Sequence, residues 1–272
     1  SEVESDAGFI EYEFDSLVGY LGFDYLVTDS VLIGIMGSFG NTDVDYDSSS
    51  ASRGDVDSWS IAGYLSYFGD NGLFANFGGG FGDMSIESTR DVSFSSMAGS
   101  ISAVASADYD GDFTYFFGEA GYSFELSEDG LLVTPEIGLL YTKVKQDAIT
   151  ETGAGVFNLF VDEQSNKSVR GTLQVRLSKA FETSNSGVVV PYIRVGVAKE
   201  FEDDLRVITS RFVGDSGSFT TFGEVPRETT AIFGAGVAAM FNDVWSVHLD
   251  YSGELGGNYK NHNVSGSVRI RF

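Results

Sequence analysis

The sequence predicts an all-β protein: an antiparallel transmembrane β-barrel of the outer membrane, with about eleven strands in this chain. Three observations favour this fold class. Apolar and polar residues alternate in eleven segments, the composition suits strands, and the connections alternate between short and long. The 272 residues include 34 Gly, 23 Phe and 13 Tyr but only 3 Pro, which is typical of strands joined by turns. No run approaches the roughly 20 apolar residues of a membrane helix, but barrel strands distribute their apolar residues by alternation.

The last nine residues carry this alternation to Phe272. Apolar or glycine residues alternate there with polar ones, namely Val264, Gly266, Val268, Ile270 and Phe272 with Ser265, Ser267, Arg269 and Arg271. A period of two predicts a strand with one apolar face and one charged face. In a membrane barrel these faces meet lipid and lumen. The edge strand of a soluble sandwich is the alternative that this stretch alone leaves open.

Ten earlier segments repeat the same period, and turn sequences such as Gly-Asp-Asn-Gly at 69–72 separate them. The predicted strands span residues 14–26, 31–40, 56–68, 73–83, 112–126, 131–146, 167–181, 188–201, 229–241, 244–255 and 264–272. The apolar faces of the first eight and of the tenth include, in order, Leu21, Ile35, Ile61, Phe77, Phe116, Ile137, Leu173, Ile193 and Leu249. Each segment by itself therefore predicts a strand with one lipid-facing side.

The connections predict which strand ends lie together. Short turns are found at residues 28–30, 69–72, 127–130, 183–187 and 242–243, and longer polar stretches at 41–55, 84–110, 147–166, 202–226 and 256–261. Transmembrane barrels have short periplasmic turns and long outer loops, whereas a sandwich has no reason to sort its connections in this way. The sorting favours a membrane barrel with a periplasmic C-terminus and extracellular long loops.

Aromatic residues on the apolar faces lie near strand ends. Tyr25, Tyr67 and Trp245 lie toward the short turns, and Trp59 and Tyr251 toward the long connections. Two such rows are typical of the aromatic girdles at the two membrane interfaces. The opposite faces carry charges that predict a crowded polar lumen: Arg170, Arg176, Arg194, Arg269, Arg271, Glu119, Glu136 and Glu200.

Charge and residue types argue against several functions. A net charge of −24 disfavours a nucleic-acid partner, because phosphate binding needs a basic surface. Without cysteine, a phosphate-binding glycine loop or a zinc-binding His-Glu-x-x-His motif, we predict no cofactor and no metal site. His248, Asp250 and Ser252 share one strand face, but such positions are spaced ~7 Å apart, too far for a hydrogen-bonded relay. We therefore predict lumen packing there and no enzyme.

The strand count is odd, although single-chain bacterial barrels have an even number of strands. With eleven strands and a periplasmic C-terminus, the first segment begins on the extracellular side. Residues 1–13 are too few and too acidic for another strand and its turn. We therefore expect one strand upstream of Ser1, and we expect residues 1–272 to be one barrel domain of a longer protein.

A series of short motifs resembles the C-terminal translocator domain of type V secreted autotransporters of Gram-negative bacteria. The resemblance covers essentially the whole chain and rests on the order of these motifs: Gly22-Phe23-Asp24-Tyr25-Leu26, Val31-Leu32-Ile33-Gly34, Gly118-Glu119-Ala120-Gly121-Tyr122, Val133-Thr134-Pro135-Glu136-Ile137-Gly138, Val189-Val190-Pro191-Tyr192-Ile193, Glu200-Phe201-Glu202-Asp203, Arg211-Phe212-Val213-Gly214-Asp215 and Val268-Arg269-Ile270-Arg271-Phe272. The resemblance implies a twelve-stranded outer-membrane barrel, threaded by an N-terminal helix, that exports an upstream passenger domain.

The resemblance also implies partners and site residues. Val264, Val268, Ile270 and Phe272 become the signal that the barrel-assembly machinery reads, and the other partners are lipid, lipopolysaccharide and the passenger. The lumen charges become contacts for the threaded helix or the exported chain, with mutual pairing of buried charges as the alternative. A free-standing outer-membrane channel or adhesin barrel is the alternative function, and an enzyme barrel, which needs a catalytic set at one rim, is a third class.

Overall fold

The computed structural model describes residues 2–3, 12–46, 52–96, 99–183, 187–202, 206–223, 229–241, 244–257 and 259–271. Eleven long strands dominate it: β1 (Tyr12–Thr28), β2 (Val31–Tyr46), β3 (Arg53–Phe68), β4 (Leu73–Ser96), β5 (Gly99–Tyr122), β6 (Leu131–Gln146), β7 (Gln164–Lys179), β8 (Val188–Glu200), β9 (Thr229–Phe241), β10 (Trp245–Gly256) and β11 (Tyr259–Ile270). The predicted all-β antiparallel architecture with eleven strands is confirmed. A search of the described helical residues finds none long and apolar enough to cross a membrane.

The sheet closes on itself. Each long strand pairs antiparallel with the next one along the chain, from β1 to β11. The short strand Glu2–Val3 then pairs with β11 on one side and with β1 on the other, which completes the ring. Two further short strands, Phe124–Glu125 and Phe181–Glu182, extend the pairing at the turn ends of β6 and β8. Closure makes an inside and an outside, and the junctions from β1 to β11 leave no free edge between neighbouring strands.

The seam between β11 and β1 differs from every other junction of the ring. Glu2 lies opposite Lys260 and Glu13, and this link is only two residues long. We expected the edge of β11 to pair with a strand that this chain does not contain, and for these two residues that expectation is wrong. Farther along the seam, side chains bridge the strands: Tyr20 Oη donates to the Gly266 carbonyl oxygen at 3.4 Å.

Much of what the sequence indicated as long loops is strand. The stretch 84–110 continues β4 and β5 as a paired hairpin, with Ser96 opposite Gly99, and most of 41–55 belongs to β2 and β3. At about 3.3 Å per residue, the 24-residue strands β4 and β5 are far longer than the roughly 9 to 11 residues that cross a bilayer. The stretch 256–261 is mostly strand too, so the strict alternation of short and long connections is wrong. The extra length lies in strands that project beyond the apolar band.

Two of the predicted loops form a second sheet. Ile149–Thr150 and Leu159–Val161 come from the connection before β7, and Val207–Phe212 and Ser218–Phe222 come from the connection before β9. They pair antiparallel in that order, and a 3₁₀ turn at Gly155–Phe157 lies within the first connection. This small sheet lies at the end of the barrel that carries the connections before β7 and β9, which we call the long-connection end. There it meets the projecting hairpin of β4 and β5.

The predicted apolar faces point outward. Leu21, Ile35 and Val264 expose 85%, 65% and 81% of their surface. Apolar residues in the core of a water-soluble protein are far less exposed. Few apolar side chains among the described residues are buried, because the interior is a polar lumen and not a hydrophobic core. A contiguous apolar belt around a closed sheet is the surface that a membrane barrel turns to lipid.

Candidate functional site in the barrel lumen

The lumen wall of β6 to β8 carries a buried ion pair. Glu136 on β6 has a fully buried side chain, and Arg176 on the neighbouring strand β7 lies 2.9 Å from its Oε1. Gln174 Nε2 donates to Glu136 Oε2 at 2.7 Å. Alternation places all three side chains inward, and the register of β6 and β7 sets Gln174 directly opposite Glu136. The carboxylate is thus held by two neighbours on one strand.

A second cluster reaches across a whole strand. Arg194 on β8 pairs with Asp250 on β10 at 2.7 Å, and the Tyr192 hydroxyl contacts both Asp250 and His248 Nε2. The intervening strand β9 has Gly236 at the crossing, where a Cβ atom would lie 2.3 Å from Tyr192 Oη. Glycine on β9 therefore makes room for β8 side chains to reach β10.

The same arrangement occurs on the opposite wall. Tyr64 on β3 passes over Gly34 on β2, where a Cβ atom would lie 2.2 Å from Tyr64 Cζ, and donates to Asp24 on β1 at 3.0 Å. Arg269 on β11 reaches the same carboxylate at 3.1 Å from the other side of the seam. Asp24 thus links strands on both sides of the weakest junction in the ring.

A cavity of about 790 Å³ lies in the long-connection half of the barrel. Its barrel wall includes an ion pair between Arg170 and Glu254, whose carboxylate also accepts from Thr230. Glu200 lies nearby and accepts from Ser168 Oγ at 2.7 Å. The other side of the cavity is formed by residues of the small sheet: Ile149, Leu159, Val161, Ile208, Ser210, Phe219 and Thr221. The small sheet therefore borders the lumen at this end.

The small sheet is fastened to the projecting hairpin. Arg90 on β4 makes two hydrogen bonds to Glu151, of 2.8 and 2.6 Å, and a third to the Phe157 carbonyl oxygen. Val92, Ala105 and Ala154 form a small buried apolar cluster beside them. Bidentate arginine–carboxylate pairs fix geometry as well as charge. These contacts hold the two extramembrane pieces together as one unit.

The outward face of the same end is acidic on β1 to β5. Directly paired carboxylates cross five strands in one row: Asp15, Asp43, Asp55, Glu87 and Asp108. Asp43 lies beyond the apolar part of β2, and its pKa is raised by a side-chain hydrogen bond with Asp55, by burial and by repulsion from its acidic neighbours. Among the described residues, no three His, Asp or Glu side chains are placed to hold a metal ion.

Comparison with known proteins supports this geometry. The family model described as "Autotransporter beta-domain" matches residues 1–252 of the chain. The chain belongs to the autotransporter β-domain family. Among solved structures, the chain is similar to the translocator domain of the autotransporter NalP from Neisseria meningitidis, with a TM-score of 0.73 and 17% identity over 100% of this chain and 84% of that one. It is also similar to the β-domain of the Bordetella autotransporter BrkA, with a TM-score of 0.65 and 17% identity over 100% of this chain and 96% of that one.

Two relatives are much longer than this autotransporter β-domain. Outer membrane protein A of Rickettsia conorii is 26% identical over 267 residues, which are 96% of this chain but 13% of that protein. Outer membrane protein B of Rickettsia rickettsii is 25% identical over 276 residues, 97% of this chain and 16% of that protein. The chain thus spans less than a fifth of the length of these relatives. The family, the barrel fold and an outer-membrane location are consistent with every one of these matches.

Four of the five predicted lumen arginines of this autotransporter β-domain form ion pairs. Arg170, Arg176, Arg194 and Arg269 each pair with a carboxylate, so the mutual pairing that we kept as an alternative is present. Glu119 lies on the lumen face of β5, opposite Gly138, and Arg271 follows β11 with an exposed side chain. The five aromatics predicted for the interface girdles and the predicted assembly-signal residues within the described chain are exposed on the outside: Tyr25, Trp59, Tyr67, Trp245, Tyr251, Val264, Val268 and Ile270. Phe272 lies outside the described residues.

The sequence did not single out some lumen contacts. Tyr192 and Asp24 enter the sequence prediction only through strand alternation and the family motifs, and Tyr64 does not enter it by name. His248, Asp250 and Ser252 are considered there together, as one face of a single strand. The structure joins His248 and Asp250 through the Tyr192 hydroxyl of another strand. A usable signal is a glycine on an inward position next to an inward tyrosine on the adjacent strand, as with Gly236 and Tyr192.

Proposed function

We propose that this domain anchors a longer protein in the outer membrane and exports the passenger domain that precedes it. The observation that carries the proposal is the closed sheet with an apolar exterior and a polar, ion-paired lumen in a chain of the autotransporter β-domain family. Such a lumen offers a polypeptide hydrogen bonds in place of water, which a lipid environment does not. The role is one of transport and anchoring, with no catalytic group supplied by the barrel.

We further propose an orientation and a set of partners. The long-connection ends are extracellular and the C-terminus is periplasmic. The outward-facing Val264, Val268 and Ile270, together with Phe272, form the signal for the barrel-assembly machinery. Lipopolysaccharide surrounds the extracellular end of the belt, and the girdle aromatics lie at the two membrane interfaces.

We propose that the chain upstream of Ser1 supplies the rest of the strand that Glu2–Val3 ends. The register supports this, because Glu2 opposite both Lys260 and Glu13 is where an antiparallel strand between β11 and β1 would end. Roughly ten more residues would fill the seam as far as Ile270. Such a strand would hydrogen-bond both edges, which are now bridged partly by side chains.

The lumen charges have a part in this proposal. Glu119 and the ion pairs of Arg170, Arg176, Arg194 and Arg269 line the path that a threaded helix or an exported chain would follow. Arg269 keeps 61% of its side chain exposed, so it can contact a second chain without first leaving Asp24. Glu136 is fully buried, so it could contact a second chain only after leaving Arg176.

Export is tested in the parent protein with an epitope tag placed in the segment that precedes this domain. On intact cells we expect the tag to be accessible to antibody and to added protease. A matched variant that lacks residues 259–272 removes β11 and should leave the tag inside the cell. A tag that stays inaccessible in a protein whose barrel is fully assembled would contradict export and favour a free-standing barrel.

The upstream strand is tested by deletion. Removing the ten residues just before Ser1 should lower the unfolding temperature of the detergent-solubilised barrel, because two strand edges lose their ladder hydrogen bonds. The measurement is the gel shift of the folded barrel after heating. The control deletes ten residues farther upstream and should leave the temperature unchanged. Equal unfolding temperatures for the two deletions would argue that the seam is complete as it stands.

A further inference from the structure

A basic patch lies on the outward face of β6 and β7, in a protein whose charge is otherwise strongly acidic. Lys143 and Lys145 lie near the long-connection end of β6, and Lys167 lies at the same end of β7. We call these three residues the lysine patch. All three share the outward face with Leu139 and Leu173, because each is an even number of residues from them along its strand. The patch is therefore on the outside of the barrel and not in its lumen.

Two of these lysines face each other directly. Lys143 and Lys167 are register partners across the β6–β7 ladder. Like charges in this position repel, since directly opposite Cβ atoms are only about 5 Å apart. Lys145 lies 3.9 Å from Asp112, but within the described ranges no carboxylate oxygen is within 4 Å of the ammonium groups of Lys143 and Lys167. In the described part of the chain, Lys143 and Lys167 therefore form no ion pair of their own.

The patch lies just beyond the apolar belt. Tyr141 precedes Lys143 by two residues and pairs with Val169, which follows Lys167 by two. Ile137, Leu139 and Leu173 continue the exposed apolar surface toward the other end, with 61%, 53% and 56% of their area open. In a membrane this level is the boundary between acyl chains and headgroups. A ligand that meets both surfaces is therefore amphipathic, with an anionic head.

The β1 to β5 part of this rim has the opposite sign. On β1 to β5 the corresponding outward positions form the acidic row from Asp15 to Asp108. The chain has 40 acidic and only 16 basic residues, so three lysines in one sector are more than its average composition predicts. Charge complementarity thus directs an anion to the lysine patch and away from the neighbouring sector.

We propose that the lysine patch binds the phosphate groups of lipopolysaccharide, whose acyl chains lie against Leu139 and Leu173. Each lysine ammonium offers three donors, and a phosphate between Lys143 and Lys167 relieves their repulsion. The proposal rests on the orientation given under the proposed function, because lipopolysaccharide is in the outer leaflet. It does not depend on passenger export, so the two can fail separately.

The test measures binding of bisphosphorylated lipid A to the protein purified from outer membranes in mild detergent, by native mass spectrometry over a concentration series. Each lysine charge near an anionic surface contributes roughly fivefold to apparent binding, so changing both facing lysines, K143Q and K167Q together, should weaken it about 25-fold. The charge-preserving pair K143R and K167R should bind like the unchanged protein. The same gel shift that reports folding excludes misfolded samples.

A matched control lies on the same strand. Lys179 shares the outward face of β7 with Lys167 but lies at the short-turn end, so K179Q removes an equal charge and should leave binding unchanged. Lipid A without phosphates should bind the unchanged protein as weakly as bisphosphorylated lipid A binds the double variant. The proposal is overturned if the double variant binds normally or if K179Q weakens binding equally.

Discussion

Replacing Arg176 with alanine is expected to destabilise the barrel by about 3 kcal/mol, at the lower end of the range for a broken buried pair. The loss comes from Glu136, whose side chain is fully buried and would keep only the hydrogen bond from Gln174. A carboxylate without its cation in the lumen wall is costly, because neither water nor lipid is at hand to solvate it. The measurement is urea unfolding of the protein from lipid vesicles, followed by tryptophan fluorescence.

The control for this prediction removes the unpaired carboxylate charge of Glu136. Combining E136Q with R176A leaves two neutral groups and should recover most of the lost stability, whereas the single variants should each be less stable. If the double variant is as unstable as R176A alone, the loss arises from packing of the Arg176 side chain against Tyr192, whose ring centre is 5.3 Å from the guanidinium carbon. The ion pair would then carry little of the stability.

Placing an arginine on the lipid face should be as damaging. Leu173 lies near the middle of β7 and exposes 56% of its surface on the outside. An arginine at the bilayer midplane of a barrel costs about 2 to 4 kcal/mol. We therefore expect L173R to lower the free energy of unfolding from vesicles by that amount, and to reduce the yield of assembled barrel in cells.

The adjacent residue provides the matched comparison. Q174R introduces the same charge one position along the same strand, but on the lumen face, where it can still donate to Glu136. Its effect should be below about 1 kcal/mol, because no charge enters lipid. Equal losses for L173R and Q174R would contradict the assignment of faces and, with it, the membrane belt. A larger loss for Q174R would reverse the two faces.

Sequence patterns predicted the faces well because side-chain direction in a strand is a local property. Leu173 and Gln174 point to opposite sides whatever their neighbours do, so alternation was sufficient to separate belt from lumen. The pattern was weaker where the apolar face is built from small residues. The serine- and alanine-rich stretch 84–110 has little contrast between its faces, so the pattern predicts a long connection there, whereas the structure has a paired hairpin.

Contacts between strands that are not adjacent could not be predicted from the sequence. Arg176, Arg194 and Arg269 were recognised as lumen charges, but not their partners. Tyr192 meets Asp250 only because β9 carries Gly236 between them, and Arg269 meets Asp24 only because the sheet closes into a ring. Such pairs depend on the register of several ladders at once. No single segment of sequence contains that information.

The sequence by itself determined that the chain is a ring-forming series of strands with lipid-facing and lumen-facing sides. The reason is that the period of two is a local property of each segment. The tertiary structure alone decided how the ring closes, through the two residues Glu2–Val3. It also decided that two loops join as a sheet beside the lumen and that Lys143 faces Lys167. The physical reason is the same in each case: register between strands is set by the closure of the whole sheet, and alternation within a strand is not.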